Sequence, residues 1–211
     1  MESITIDMES AAYLDIASAV LPTTRCLSIC ITGYASGDPS GLPAVNRILN
    51  KARGSEVLKL KLADKRLRVG PESITCAALT HLEISAPTSV DTMLAVIKTL
   101  PNLVKLTLYD LDMSDIQVDI SIPDADQDAA MEPLHSSLQS LKIGSGRNRL
   151  VRESAAAVAL VAVLKCMLLR IPTLTRVHSR EIPKEPVLDF VRAHELRYPR
   201  LRSLVLDRRS V

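Results

Sequence analysis

The chain has 211 residues, of which 47% are hydrophobic, 24% charged and only 2% aromatic. This balance is typical of one globular domain, and it excludes a disordered chain, a collagen-like chain and a disulfide-rich miniprotein. The net charge is +2, but the acidic excess lies in residues 1–140 and the basic excess in residues 141–211, an asymmetry that can steer a charged partner. Nucleic acid is not the partner we expect, because so few aromatic rings are available to stack on bases.

The N-terminal segment predicts a helix over residues 9–20 rather than a signal peptide. Residues 1–21 carry acidic side chains and no Lys or Arg, whereas a secretory signal begins with a basic region. The four cysteines lack a CxxC pair, so we expect neither a metal site nor any other cofactor. Reduced thiols favour a cytoplasmic or nuclear protein. The longest apolar run, residues 154–164, is shorter than the roughly 20 residues of a membrane span and indicates a buried helix.

One pattern recurs from residue 24 onward: an apolar residue, two variable residues, a second apolar residue, one variable residue and a third apolar residue. The last two apolar positions are two residues apart and therefore point to one face of a strand, while the first lies in the turn that enters it. Proline at Pro101, Pro172 and Pro199 ends a preceding helix before such a strand. The strands are predicted at 24–29, 57–62, 79–84, 103–108, 138–143, 174–179 and 201–206. The unit at 24–29 fits only from its second apolar position, and the unit at 174–179 ends on the polar Ser179.

Helices are predicted between these strands, which makes the chain an α/β protein. The clearest covers residues 89–100, where Ser89 or Asp91 can cap the N-terminus and Pro101 stops the helix. The interval at 110–132 holds eight acidic residues and no Lys or Arg, and it lacks the glycine and terminal Glu of a calcium-binding EF-hand loop. It is predicted as an acidic loop without a metal. The predicted helices are 9–20, 42–52, 89–100, 150–169 and 187–198.

The repeated unit resembles the leucine-rich repeat family, and the resemblance spans most of the chain. It implies one domain over residues 1–211: a solenoid with a curved parallel sheet and helices on its outer face. The irregular spacing is similar to the repeats of F-box substrate receptors, although no F-box is evident before them. The resemblance therefore implies a non-catalytic protein-recognition module, with substrate recognition for a ubiquitin ligase as a candidate role.

The family resemblance also implies which residues would meet a partner. In leucine-rich repeats the strand residues that flank the two buried positions face the concave side, and here these are mainly basic. An acidic segment of another protein is the partner we expect. The predicted partner-binding residues are Lys59, Lys61, His81, Glu83, Lys105, Tyr109, Lys142, Arg176, His178 and Arg180.

An enzymatic alternative rests on the Gly144-Ser145-Gly146 segment, which follows a predicted strand. A dinucleotide-binding loop needs a third glycine, and Arg149 stands in its place. This alternative is a small α/β nucleotide-binding enzyme, and it requires a doubly wound sheet with helices on both faces. Neither HExxH nor GxSxG occurs, so no catalytic residue is predicted.

The two ends of the repeat array differ. The helix at 9–20 is a candidate N-terminal cap, as repeat proteins need one. No helix is predicted after Leu206. We therefore expect an open edge at 204–206. Either the array is truncated, or another chain pairs with this edge, or the last strand is solvated and of low stability.

Overall fold

A computed structural model describes residues 3–8, 25–31, 54–62, 74, 76–112, 133–145, 155–180, 184–194 and 200–207. Within these residues the chain forms one sheet and three helices, which confirms the predicted α/β class. The strands are β1 (Ser3–Met8), β2 (Cys26–Ile31), β3 (Val57–Leu62), β4 (His81–Ser89), β5 (Lys105–Asp112), β6 (Ser140–Ser145), β7 (Arg176–Arg180) and β8 (Ser203–Asp207). The helices are α1 (Val90–Thr99), α2 (Ala155–Arg170) and α3 (Lys184–Ala193).

The eight described strands lie side by side in the order of the sequence, and every neighbouring pair is parallel. Crossovers between parallel strands are almost always right-handed. A sheet that grows in one direction therefore places its connections on one face. A doubly wound sheet reverses its strand order, and this order contains no reversal.

Two ladders of apolar side chains run across the buried face of the sheet. The middle apolar position of each repeat lies opposite its counterpart on the next strand, as Leu82 does with Leu106 and Leu106 with Leu141. Helix residues such as Val96, Leu164 and Val187 belong to the same core, so the three helices cover this face. The ladders are Leu27–Leu58–Leu82–Leu106–Leu141–Val177–Leu204 and Ile29–Leu60–Ile84–Leu108–Ile143–Ser179–Leu206.

Three details differ from the sequence predictions. Strand β1 precedes the first predicted repeat; it was missed although Met1, Ile4 and Ile6 follow the repeat spacing. In β3, Leu58 rather than Leu60 pairs with Leu82. Apolar residues at 58, 60 and 62 permit a slip of two residues without reversing the faces. Leu204 was predicted to be buried, but it is only half-buried because β8 has a described neighbour on one side only.

A repeated hydrogen-bond motif sets the start of each strand. The carbonyl oxygen just before one strand accepts two backbone N–H groups from the entry of the next, at 2.8–3.1 Å. The same bond pair recurs from β2 to β8, so the strand register is fixed by backbone geometry as well as by the apolar ladders. The accepting carbonyls are those of Arg25, Glu56, Thr80, Val104, Gln139 and Thr175.

The described helices agree with their predicted positions to within a few residues. Ser89 caps α1 as predicted, since its hydroxyl accepts the backbone N–H of Thr92 at 3.2 Å, and α1 ends just before Pro101. The first three residues of the predicted acidic loop, Asp110, Leu111 and Asp112, belong to strand β5. Residues 113–132 and the predicted helices at 9–20 and 42–52 lie outside the described residues.

Candidate protein-binding face

The face of the sheet opposite the helices is called here the open face. It consists of the strand residues that alternate with the two apolar ladders, and all ten predicted partner-binding residues occupy strand positions of this kind. The side chain of Arg180 lies outside the described set. The open face forms an entry row, His81–Lys105–Ser140–Arg176, and a middle row, Lys59–Glu83–Thr107–Lys142–His178.

An ion pair occupies the β3–β4 part of the open face. Lys59 and Glu83 are register neighbours, and 3.9 Å separates Nζ from Oε2. The two side chains are 54% and 34% exposed, so water screens the pair and its contribution to stability is below about 1 kcal/mol. Its electrostatic effect on a ligand is larger, because Glu83 offsets the charge that Lys59 would otherwise present.

The β5–β7 part of the open face is basic without such compensation. In the described part of the chain, no carboxylate lies within 4 Å of Lys105, Lys142 or Arg176. The ammonium of Lys142 instead lies over the ring of Tyr109, 5.1 Å from its centroid. A cation–π contact positions an ammonium while leaving its full charge in place.

Tyr109 stands at two consecutive irregularities of the sheet. The register shifts between Ile84 and Pro87 in the β4–β5 pair, and between Leu108 and Leu111 in the β5–β6 pair. Such bulges redirect the side chains beside them. Gly144 packs against the second bulge, because a Cβ there would lie 3.2 Å from the carbonyl oxygen of Tyr109. A glycine inside a strand is the sequence signal for this feature.

This placement corrects the prediction that Gly144 and Ser145 follow the strand. Gly144 and Ser145 are the last residues of β6, and Gly144 is buried against the backbone of β5. A phosphate-binding loop instead offers free backbone N–H groups after the strand has ended. Gly146 lies outside the described residues.

A shallow cavity of about 210 Å³ opens between β3, β4 and β5 on the open face. Thr107 is only 3% exposed although it belongs to the open face, since longer side chains stand around it. The ammonium groups and the imidazole at the rim can donate hydrogen bonds to an anion, while Glu83 opposes one. The cavity is lined by Val57, Leu58, Lys59, His81, Leu82, Glu83, Lys105 and Thr107.

Two of the titratable groups outside the open face are structural. The buried imidazole of His135 makes three hydrogen bonds to backbone groups, one through Nε2 and two through Nδ1. Burial raises the pKa of the Cys76 thiol, against the opposing effect of backbone hydrogen bonds from Ser55 and Ala78. The Sγ atom donates to the carbonyl oxygen of Ser55 at 3.2 Å. Both groups therefore belong to the packing of the repeats and not to a binding surface.

Comparison with protein-family models, with curated proteins and with solved structures found no match for this chain. Among the described residues, no three His, Cys, Asp or Glu side chains are grouped so that they could hold a metal ion. None of the described helices is both long and apolar enough to cross a membrane. The function of the open face therefore has to follow from the charge, burial and register of its own residues.

Proposed function

We propose that the chain is a leucine-rich-repeat-like solenoid and a non-catalytic recognition module whose open face binds an acidic segment of another protein. The charge of that face carries the proposal. At the positions that alternate with the two ladders, its described side chains include five cations, Lys59, Lys61, Lys105, Lys142 and Arg176, and the carboxylate of Glu83; a second carboxylate, that of Asp110, follows Tyr109 at the bulged end of β5. A surface with this balance favours acidic partners and speeds their association.

The strand order and the helix positions support the solenoid. Each repeat contacts its sequence neighbours, and the strand-entry hydrogen bonds repeat from β2 to β8. Helices are about 10 Å wide, whereas strands are about 4.8 Å apart. A helical layer on one side therefore bends the sheet toward its other side. An extended concave face of this kind suits a protein segment better than a small molecule.

The likeness to the repeats of F-box substrate receptors extends the proposal to substrate recognition for a ubiquitin ligase. This extension rests on the repeat pattern alone. It predicts that the chain co-purifies with ubiquitin-ligase subunits when expressed in cells, and that charge reversal on the open face leaves this association intact while releasing the substrate.

The direct test is binding of a fluorescein-labelled oligoglutamate peptide, followed by fluorescence anisotropy, with a Gly–Ser peptide as the neutral reference. The double variant Lys59→Glu/Arg176→Glu is expected to weaken binding, and so is added salt. A matched control reverses two exposed charges on the helices, Lys98→Glu/Lys184→Glu. Equal losses in the two double variants, or binding that salt does not change, would contradict the proposal.

A further inference from the structure

We infer that the anion-binding centre of the open face lies on β5–β7, at Lys105, Lys142 and Arg176, and that it selects a compact cluster of carboxylates on the partner. This inference rests on the proposed function and locates it on the sheet. It divides the open face into two parts of different charge, which the sequence alone did not distinguish.

The first step is the charge balance of the two parts. On β3 and β4, Glu83 lies 3.9 Å from Lys59, and Lys61 is the lysine that has no carboxylate within 4 Å among the described residues. On β5–β7, three cations face outward, and no carboxylate lies within 4 Å of them among the described residues. An approaching anion is therefore attracted more strongly to β5–β7, since Glu83 repels it at the other part.

The second step is the spacing of the three cations. Lys105 and Arg176 flank Ser140 in the entry row, on the strands to either side of β6. Neighbouring strands are about 4.8 Å apart, so the Cα atoms of this pair are about 10 Å apart. Lys142 is two residues beyond Ser140 on the same strand, about 7 Å away. The Cα atoms of the three cationic residues thus lie within an area about 10 Å across.

The third step is the support beneath Lys142. Its ammonium is held over the ring of Tyr109 at 5.1 Å. Tyr109 is in turn placed by the two bulges and by the close approach of Gly144 to its carbonyl oxygen. A side chain that is already positioned loses less conformational entropy when it binds. Lys142 is therefore better prepared for an anion than a lysine that extends into solvent.

These dimensions define the chemistry of the partner. Acidic side chains two residues apart on an extended segment are about 7 Å apart, so adjacent acids bring several carboxylates within the span of the three cations. Acids separated by several neutral residues can place only one carboxylate there. The expected partner is a segment with consecutive Asp or Glu residues, rather than one with the same charge spread along its length.

The experiment compares two fluorescein-labelled Gly–Ser peptides, each with four aspartates that are consecutive in one and six residues, or about 20 Å, apart in the other. The protein is tested as wild type, as Lys142→Met and as Lys59→Met, which removes a lysine from the same row of the open face. The wild type is expected to bind the consecutive peptide about threefold or more tightly than the spaced one, and Lys142→Met to lose that preference. Lys59→Met is expected to keep it.

The possible outcomes separate the inference from the proposed function. If both peptides bind and Lys59→Met weakens them as much as Lys142→Met does, the centre on β5–β7 is wrong while the acidic-segment function stands. The compact-cluster requirement fails if the wild type binds both peptides equally. If neither peptide binds at low ionic strength, the proposed function itself is contradicted, and the inference with it. Circular dichroism verifies that each variant is folded, as expected for substitutions on the open face.

Discussion

The imidazole of His135 donates from Nε2 to the carbonyl oxygen of Leu100, at 2.8 Å across 35 positions of sequence. Its Nδ1 accepts the backbone N–H groups of Ser137 and Leu138 at 3.0 and 2.9 Å, so Nε2 carries the proton. In other repeats the leucine in the turn before the strand donates its backbone N–H to the carbonyl oxygen three residues earlier, as Leu103 does to Leu100. The ring of His135 replaces that carbonyl and ties the entry of β6 to the end of α1.

We expect His135→Ala to lower the free energy of unfolding by about 2 kcal/mol or more, because it leaves buried backbone groups without partners. Urea denaturation measures this loss. The control is His81→Ala, whose ring is exposed on the open face and bonds to the hydroxyl of Thr80; it is expected to change stability by less than about 0.5 kcal/mol. Similar losses in both variants would show that His135 is not a structural link.

Truncating a leucine of the first apolar ladder should lower the free energy of unfolding less at β8 than at the centre of the sheet. Leu106 is 0% exposed between β4 and β6, so Leu106→Ala is expected to cost about 2–5 kcal/mol. Leu204 occupies the same ladder but is half-buried, and Leu204→Ala should cost about half as much. Urea midpoints for the two variants provide the comparison. Equal losses would mean that β8 is covered as completely as β5.

The sequence predicted the ladders well where each repeat contains a leucine in the turn before the strand. Leu79, Leu103 and Leu138 mark such turns, and each is 0% exposed. The prediction failed where another residue takes that place. Ser55 is the buried first residue of its repeat, and a serine gives no apolar signal, so β3 was placed two residues out of register. Strand β1 was missed for a different reason: Met1, Ile4 and Ile6 follow the spacing, but one short match of this kind does not by itself identify a repeat.

The residues of the open face were likewise predictable, because strand alternation depends only on spacing. Their division into two parts was not. The Lys59–Glu83 pair depends on which strands are neighbours and in what register. The position of Tyr109 depends on two bulges that arise from the packing of three strands. Such relationships belong to tertiary structure. The one sequence feature that indicates them here is a glycine within a strand, Gly144, which is typical of a bulge or of a close backbone approach.

Ser179 replaces an apolar residue in the second ladder and offers a route to higher stability. It is 0% exposed, and its hydroxyl has no hydrogen-bond partner among the described residues. Ser179→Ala removes a buried polar group and is expected to stabilise the protein by about 1 kcal/mol. Thermal and urea unfolding measure the change, with Ser140→Ala on the open face as the control. A loss of stability in Ser179→Ala would mean that the hydroxyl has a partner.

The buried thiol of Cys76 predicts a particular dependence of stability on pH. Burial raises its pKa in the folded protein, so the thiol of the unfolded chain ionises first as the pH rises. The contribution of the buried, protonated thiol to the free energy of unfolding is complete below the ordinary thiol pKa of about 8.5. It is lost as the pH rises through the pKa that the thiol has in the folded protein. Cys76→Ala lacks this group. The stability advantage of the wild type over this variant should therefore shrink from about pH 8 upward.

Urea titrations at several pH values test this expectation, and the half-buried Cys166→Ala variant serves as the control. Thiol labelling gives a second measurement, since Cys76 should react with a disulfide reagent only when the chain unfolds. A wild-type advantage that stays constant up to pH 10, together with rapid labelling of Cys76 in the folded protein, would contradict the buried position.

The ion pair on the open face leads to a prediction of increased binding. Glu83→Gln removes the carboxylate 3.9 Å from Lys59 and leaves that lysine without its partner. The amide keeps the size of the side chain, and the exposed pair contributes little to stability. The variant is therefore expected to stay folded and to bind acidic peptides more tightly by about twofold to fivefold at low ionic strength, with the gain disappearing in high salt.

A matched substitution separates this local effect from a change in total charge. Asp189→Asn removes an exposed carboxylate from α3, where it pairs with Arg192 at 3.3 Å, away from the open face. It alters the net charge by the same amount and should leave peptide affinity nearly unchanged, because charges farther apart than about 10 Å are largely screened at 0.1 M salt. If Asp189→Asn tightened binding as much as Glu83→Gln does, the acidic segment would be responding to the whole molecule, and the open face would have no special part in its capture.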